Sequence, residues 1–158
     1  MKAILACEKN GGIGFEGSMP WPKQDKDLQR FKDLTLGSTV LMGRGTWEST
    51  GMPKPLPDRK NIVMTTSQIP LPENVGFISS TDSNLLNEVD WVIGGANLID
   101  SVWDQITEFH LTHLLHEYEC DTHIDLERLQ NDFIRERSVL NLTHKYEIWR
   151  RKDGNNST

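Results

Sequence analysis

The chain has 158 residues, a formal net charge of −6 and 25% charged residues. That length suits a single domain (1–158) with a real core, and five Trp argue against global disorder. The acidic balance argues against a general binder of nucleic acid or of anionic membrane, while leaving room for a small anion held by a local basic cluster.

"KAILAC" (2–7) predicts a buried strand. The same opening superficially resembles a bacterial lipoprotein start. Its apolar run is too short for a signal peptide, however, and charged residues follow at once. "EKNGGIGFEGSMPWP" (8–22) predicts a Gly-rich loop with Pro on both sides of Trp21. Within it "NGGIG" reads as a flexible lid over a site, or as an ordinary surface loop.

"WPKQDKDLQRFK" (21–32) predicts an amphipathic helix. At about 100° per residue, Phe31 lies roughly 40° to one side of Asp27 and Leu34 about 20° to the other. Leu28 extends the same face. Asp27 therefore points where a core or pocket should be, and a buried carboxylate needs a partner. Two readings stand. Asp27 is an N-cap of a helix starting one turn later, or it faces a ligand. The capping-box pattern does not support the first, because Arg30 and not Glu or Gln stands three residues on.

"STVLMG" (38–43) predicts a second buried strand, stopped at Gly43, and "RGTWES" a helix start. "MPKPLPD" (52–58) is a Pro-punctuated loop. "RKNIVMTT" (59–66) and "VGFIS" predict further strands, and "SNLLNEV" a short helix. "DWVIGGANLIDSVW" (90–103) reads as strand, Gly-Gly, helix. "EFHLTHLLHEYE" (108–119) is a long strand or a helix. "FIRERSVL" and "HKYEIW" predict a hairpin or a neighbouring pair, and the end is a polar tail. No segment approaches a transmembrane length. Cys7 and Cys120 form no CxxC pair and read as reduced thiols of a cytosolic protein.

Strands alternating with helices predict an α/β fold with a mainly parallel sheet, whose ligands sit at the carboxyl ends of strands. Three such ends stand out: "MGRGT", "MTTS" and "IGGAN". Glycines at a strand-to-helix junction let backbone approach a phosphate, and Arg44 could grip one bidentately. The plain alternatives are a tight βα turn at "VIGGANL" and an exposed arginine beside a glycine turn at "MGRGTW". Neither the GxGxxG dinucleotide fingerprint nor a P-loop is present. His110, His113, His116, Cys120 and His123 would suit a metal on a helix. On a strand His113 faces away from His110 and His116, and the cluster dissolves. Apolar residues on both faces favour the strand, and no metal is expected.

"MPWPKQDKDLQRFK", "VLMGRGTWES", "PLPDRKNIVMTT", "VIGGANLI" and "LTHLLHEYECDTH" follow one another in this order. Together they resemble dihydrofolate reductase, from Ile4 to about Trp149. The resemblance implies a twisted, mostly parallel eight-stranded sheet with an antiparallel C-terminal strand and four flanking helices. Residues 38–88 would form an adenosine-binding subdomain, and 152–158 a polar tail. The implied reaction is hydride transfer from NADPH to C6 of 7,8-dihydrofolate, with a proton reaching N5, in a cytoplasmic monomer without nucleic-acid, membrane or obligate protein partners.

By that resemblance Asp27 would accept the pterin's ring N–H and exocyclic NH₂ as a fork, supported by the Thr112 hydroxyl, with Trp21 completing the catalytic group. Ile4, Leu5, Ala6, Leu28, Phe31 and Ile93 would line the pterin pocket. Leu56 and Lys32 would touch the aminobenzoyl-glutamate tail, and Arg59 would pair with its α-carboxylate. Ile13 and Met19, with Ala6 and Ile93, would face the cofactor, and Met19, Pro20 and Trp21 belong to the closing loop. Gly43, Arg44, Gly45 and Thr46 would meet cofactor phosphates, Thr65 and Thr66 the 2′-phosphate, and Gly94, Gly95, Ala96, Asn97 and Leu98 the pyrophosphate. Asp121 would brace the loop. Gly45 and Asn97 stand where some members carry basic residues, and one extra residue separates Trp21 from Asp27. "GMPKPLPDR" is longer than in compact bacterial members. The short 138–145 connection is not expected to lean on the lid. The rivals are a related pteridine or pyrimidine reductase on the same fold, and a zinc-binding module built on the 110–123 histidines.

Overall fold

A computed structural model describes residues 1–49 and 52–152. Gly51 of the Pro-rich loop and the tail from 153 onward lie outside the described residues. The strands are β1 (Lys2–Cys7), β2 (Gly12–Gly14), β3 (Thr39–Gly43), β4 (Lys60–Met64), β5 (Val75–Ile78), β6 (Trp91–Val92), β7 (Glu108–Leu114), β8 (Thr122–His123), β9 (Phe133–Leu140) and β10 (His144–Arg151). The helices are α1 (Asp25–Thr35), α2 (Arg44–Glu48), α3 (Ala96–Ser101) and α4 (Leu126–Asp132), with 3-10 turns at Asn84–Glu88 and Trp103–Gln105.

Eight strands form one sheet in the order β5-β4-β3-β6-β1-β7-β10-β9. Pairings from β5 to β7 are parallel, and β10 runs antiparallel to both β7 and β9. This is the expected fold. The central strands read as unbroken apolar runs because both sheet faces are covered. Alternation sends Ile4, Val40, Met42, Val63 and Trp91 to one core, where Phe31 and Leu34 of α1 pack. Ala3, Leu41, Ile62, Val92, Phe109 and Leu111 go to the other, against Leu98 and Ile99 of α3 and Leu129 of α4. Aromatic edges reinforce that second core, with Phe109 and Phe133 centroids 5.3 Å apart at 88°.

Several expectations change. The N-cap of α1 is Gln24, whose side chain makes no cap bond, so Asp27 lies inside the first turn and the N-cap reading of it fails. There its charge still favours the helix dipole. The 108–119 segment is a strand only to Leu114, and the helical reading is excluded. "NGGIG" is not wholly loop, because Gly12–Gly14 forms β2 and pairs with β8. Helix α4 completes the four helices, but no segment reading places one at Leu126–Asp132. Its first turn is capped by the Asp125 carboxylate, which accepts from Arg128 N–H at 3.0 Å. The short β9–β10 connection touches the N-cap of α1 just past the loop: Thr143 Oγ1 donates to Gln24 Oε1 at 2.9 Å. The β9–β10 register shifts between Ile148 and Trp149.

Candidate active site

Asp27 sits on α1 above the carboxyl-terminal half of β7. Thr112 on β7 is paired with Ala6 of β1 and Tyr146 of β10, so its hydroxyl rises toward the helix. That hydroxyl donates to Asp27 Oδ1. Arg30 Nη1 lies 3.9 Å from the same oxygen. Oδ2 takes no hydrogen bond among the described residues. A half-buried carboxylate thus has one oxygen braced by protein and one open to accept N–H donors from a ligand.

Around it the expected pocket residues gather unevenly. Ile4 is buried, and Ala6, Phe31 and Ile93 are half-buried, while Leu28 is 37% exposed. Leu5 is a correction: strand alternation turns it to the opposite sheet face, where it packs against the core of Ala3, Leu41 and Leu111. Lys32 is exposed on α1. Leu56 is buried in the α1-side core, and its backbone is fixed by Asn61: its N–H donates to Asn61 Oδ1 at 2.9 Å and its carbonyl accepts from Asn61 Nδ2 at 3.0 Å. Arg59 is half-buried against α1. Its Nη1 donates to Thr35 Oγ1 at 3.0 Å, its Nε donates to the Pro57 carbonyl at 2.9 Å, and its guanidinium lies 5.8 Å from the Phe31 ring centroid. Burial lowers its pKa from the usual guanidinium value, against the opposing pull of Asp58.

The glycine junctions converge. Gly43 N–H donates to the Gly94 carbonyl at 2.8 Å, and the Gly94–Gly95 peptide is cis. A Cβ on Gly94 would meet Thr46 Oγ1 at 3.3 Å, and its φ of +126° favours glycine in any case. Gly43, Thr46, Gly94 and Gly95 therefore leave a narrow backbone-walled cradle at the start of α3, of the kind a phosphate group fits. Ala96 is half-buried beside it, Asn97 and Gly45 are exposed, and Leu98 is buried 5% exposed in the core, away from solvent. Arg44 points outward but is not free. Its Nε binds Glu48 Oε1 at 2.6 Å. Thr65 is likewise occupied, its hydroxyl bonded to Ser67 N–H and O at 3.1 Å each, while Thr66 is exposed.

The 8–23 loop is fastened at its base. Glu8 is fully buried, and its carboxylate accepts from Asn10 and Gly12 N–H at 2.8 Å each and from Tyr118 N–H at 3.3 Å. A Cβ on Gly12 would fall 2.4 Å from Cys120 Sγ, so only glycine fits there. Ile13 is half-buried under this turn. Asp121 braces the loop as expected, accepting from Glu16 N–H at 2.9 Å, and that bond holds its carboxyl below the usual range. Trp21 is buried edge-on to Tyr118, with centroids 6.1 Å apart, and Met19 is exposed. A separate groove of about 640 Å³ lies between Lys23–Lys26 and Leu140–His144; Asp27 does not line it.

The histidines disperse. His110 bonds Tyr146 and Glu108 on the α1 side of the sheet. His113 faces the other side, with Nδ1 3.4 Å from Glu147 Oε1 and Nε2 3.0 Å from the Lys9 carbonyl. Donating a hydrogen bond to the Glu147 carboxylate raises the His113 pKa. Burial alone would raise Glu147, but His113, Trp149 and Arg135 hold it below the usual range. Among the described residues no three candidate ligands converge on a metal position. Sequence reasoning missed Arg30 as part of the site. The available signal was a cation one helical turn after a face-inward carboxylate.

The family model for dihydrofolate reductase matches residues 1–146. Dihydrofolate reductase type 8 of Escherichia coli is 34% identical over 165 residues, covering 97% of this chain and 96% of that protein. Dihydrofolate reductase of Mycobacterium leprae is 40% identical over 123 residues, covering 72% of this chain and 74% of its own. A solved structure of dihydrofolate reductase from Enterococcus faecalis, complexed with NADP(H) and RAB-propyl, superimposes with a TM-score of 0.82 at 28% identity, over 96% of both chains.

Proposed function

The chain belongs to the dihydrofolate reductase family, and on that premise we propose that the cleft beside Asp27 carries out the family reaction with the residues named here. The reaction is NADPH-dependent reduction of 7,8-dihydrofolate to tetrahydrofolate: the C6–N5 double bond gains a hydride at C6 and a proton at N5. The observation that carries the site assignment is the Asp27 carboxylate, braced at Oδ1 by Thr112 with Oδ2 open. A pterin offers a ring N–H and an adjacent NH₂, which a carboxylate accepts as a fork. That fork fixes the ring's orientation, and with it the face presented for reduction. It also enriches the ring in electron density, which makes N5 easier to protonate from water.

Ile4, Ala6, Phe31 and Ile93 enclose the ring and exclude solvent, with Leu28 at the cleft's rim. Arg59, held against Thr35 and Phe31, pairs with the α-carboxylate of the glutamate tail, with Lys32 nearby. That pairing favours folates over a pteridine or pyrimidine lacking the tail. The cradle of Gly43, Thr46, Gly94 and Gly95 fits a dinucleotide's phosphates, since a Cβ at Gly94 would fill it. When bound there, NADPH supplies the hydride. Arg44 would exchange Glu48 for a cofactor phosphate, and Thr66 is the freer of the two threonines for a 2′-phosphate. Strands β3 to β5, at one end of the sheet, form the adenosine half within 38–88. Trp21 and Met19 close over the nicotinamide from the 8–23 loop. We further propose a cytoplasmic monomer with no obligate protein partner. Among the described residues no helix is long and apolar enough to cross a membrane.

The test is loss of NADPH absorbance on mixing with dihydrofolate. Turnover should require both substrates and survive chelation of metals. No turnover with folates, or abolition by a chelator, overturns the assignment.

A further inference from the structure

The chemistry proposed above gives Arg30 no role, yet it is held with care. It lies one turn after Asp27, with Nη1 3.9 Å from Oδ1. That nitrogen is buried and has no hydrogen-bond partner among the described residues. A guanidinium N–H kept from water without an acceptor is costly, so its position needs a reason.

The position is enforced from below. The guanidinium carbon sits 3.8 Å from the ring centroid of Tyr146, a stacked cation–π contact. The Tyr146 hydroxyl bonds His110 Nδ1, and His110 Nε2 lies 3.0 Å from Glu108 Oε2. A nitrogen facing a carboxylate carries the hydrogen, so Nδ1 is the acceptor and Tyr146 the donor. The imidazole is then neutral, in line with the burial that lowers its pKa despite the Glu108 hydrogen bond. Burial pushes the Tyr146 phenol up to about 12, so the ring under Arg30 is neutral as well. Glu108, His110 and Tyr146 form a rigid column that aims one cation at one carboxylate.

We propose that Arg30 is a positioning residue for the pterin-binding carboxylate: clamped on Tyr146, it places a fixed positive charge behind Asp27 Oδ1 that makes the bound carboxylate–pterin pair harder to protonate and disfavours ligands that bind as cations. This rests on the reading of Asp27 as the pterin's acceptor. The other charged or titratable groups facing this spot are Lys26 on α1, His144 and Tyr146 on β10, Glu108 and His110 on β7, and Arg137 on β9. His144 is lowered by burial, with Arg30 and Lys26 adding to that and Asp27 opposing it, so it supplies no cation near neutrality. Lys26 is exposed. Among the described residues, Arg30 is the cation within 4.0 Å of the Asp27 carboxylate.

The sign follows from Coulomb's law. Removing the cation raises the proton affinity of the pair. Reduction needs a proton at N5, so the rate falls as pH rises, and Arg30→Met should move that falling limb upward by about half to one pH unit in single-turnover hydride transfer. Arg30→Lys, which keeps the charge, should stay near the unaltered protein. A second measurement needs no turnover. Kd is compared for neutral 2-amino-4-pyrimidinone and basic 2,4-diaminopyrimidine. Arg30→Met should shift the affinity ratio toward the basic compound by roughly three- to tenfold, the equivalent of that pH shift. Thermal melting and NADPH affinity check that the variants fold. An unmoved ratio and an unmoved limb in folded Arg30→Met overturn the proposal, as does an equal shift in Arg30→Lys. If Arg30→Met fails to fold, Arg30→Gln is read by the same criteria. Absence of turnover by the unaltered protein would refute the function, while the pyrimidine pair judges Arg30 separately.

Discussion

Replacing Asp27 by Asn keeps the side chain's size and removes its charge. The geometry leaves the amide no good orientation. If its oxygen continues to accept from Thr112, its NH₂ faces the cleft and meets the ring's own N–H donors. If it flips, the NH₂ turns toward Thr112 and toward Arg30, which lies 3.9 Å from Oδ1 in the unaltered protein. Either way at least one hydrogen bond to a charged acceptor is lost, worth about 1.5–3 kcal/mol, or roughly 10- to 150-fold in rate where it acts in the transition state. Loss of the negative charge also removes the assistance to N5 protonation, typically ~10²–10⁴-fold. The expected result is a fall in kcat of at least ~10²-fold at pH 7. NADPH affinity should barely change, because the glycine cradle is untouched. Activity should recover as pH falls, since solvent can then protonate the substrate before hydride transfer. The assay is single-turnover NADPH oxidation from pH 5 to 9, alongside cofactor titration. Near-normal turnover at pH 7 would refute the role. A folded, NADPH-competent variant equally crippled at every pH would assign Asp27 to orientation of the ring and not to protonation.

Arg44→Ala should weaken NADPH far more than NADH, by about 1.5 kcal/mol, the low end for a charge-assisted contact because Arg44 is half-exposed and already paired; equal losses in cofactor titrations would show that it does not read the 2′-phosphate. Glu48→Gln frees that guanidinium and should tighten NADPH by about 0.5–1 kcal/mol, with unchanged or weaker binding counting against the exchange. Arg59→Ala should chiefly raise KM for dihydrofolate and leave an analogue without the glutamate unaffected, whereas an equal penalty on both would make Arg59 structural. His113 has its pKa raised by the hydrogen bond it donates to the Glu147 carboxylate. Its stabilising contribution is therefore complete below about pH 6.5 and is lost as pH rises through the higher folded-state value. Tm should decline across that window, and His113→Gln should flatten the decline; an identical slope in the variant would locate the titration elsewhere.

The sheet was legible because its central strands are apolar on both faces, a signal that survives without any knowledge of pairing. What failed were elements whose signal is short or borrowed. Helix α4 offers only Leu126 and Leu129 as an apolar pair behind its Asp125 cap, too little periodicity to stand alone. β2 exists through its partner β8, and a glycine-rich triplet announces no strand by itself. The inward face of Asp27 could be read from helical angles, but Gln24 makes no side-chain cap, so nothing in the sequence marked the helix start and excluded the N-cap reading. Commitments made by side chains were invisible. Nothing in "MGRGTWES" says that Arg44 is taken by Glu48, nor does "MTTS" say that Thr65 closes its own turn on Ser67. Arg30 entered the sequence reading only as a residue that fails a capping box. Its meaning depends on Tyr146, over a hundred positions away.

The buried Glu8 carboxylate has a mechanical consequence. By gathering the N–H groups of Asn10, Gly12 and Tyr118, it rivets one root of the loop to the body. Thr143 pins the other root at Gln24. Between Gly14 and Gln24 the remaining tether, residues 15–23, spans roughly 30 Å at full extension, so a hatch hinged at both ends can project at most about 15 Å. Its travel is set by tether length and not by the strength of any latch along it. Lengthening 15–23 would enlarge what the hatch can cover, while softening the rivet at Glu8 would lengthen the tether from below without adding a residue.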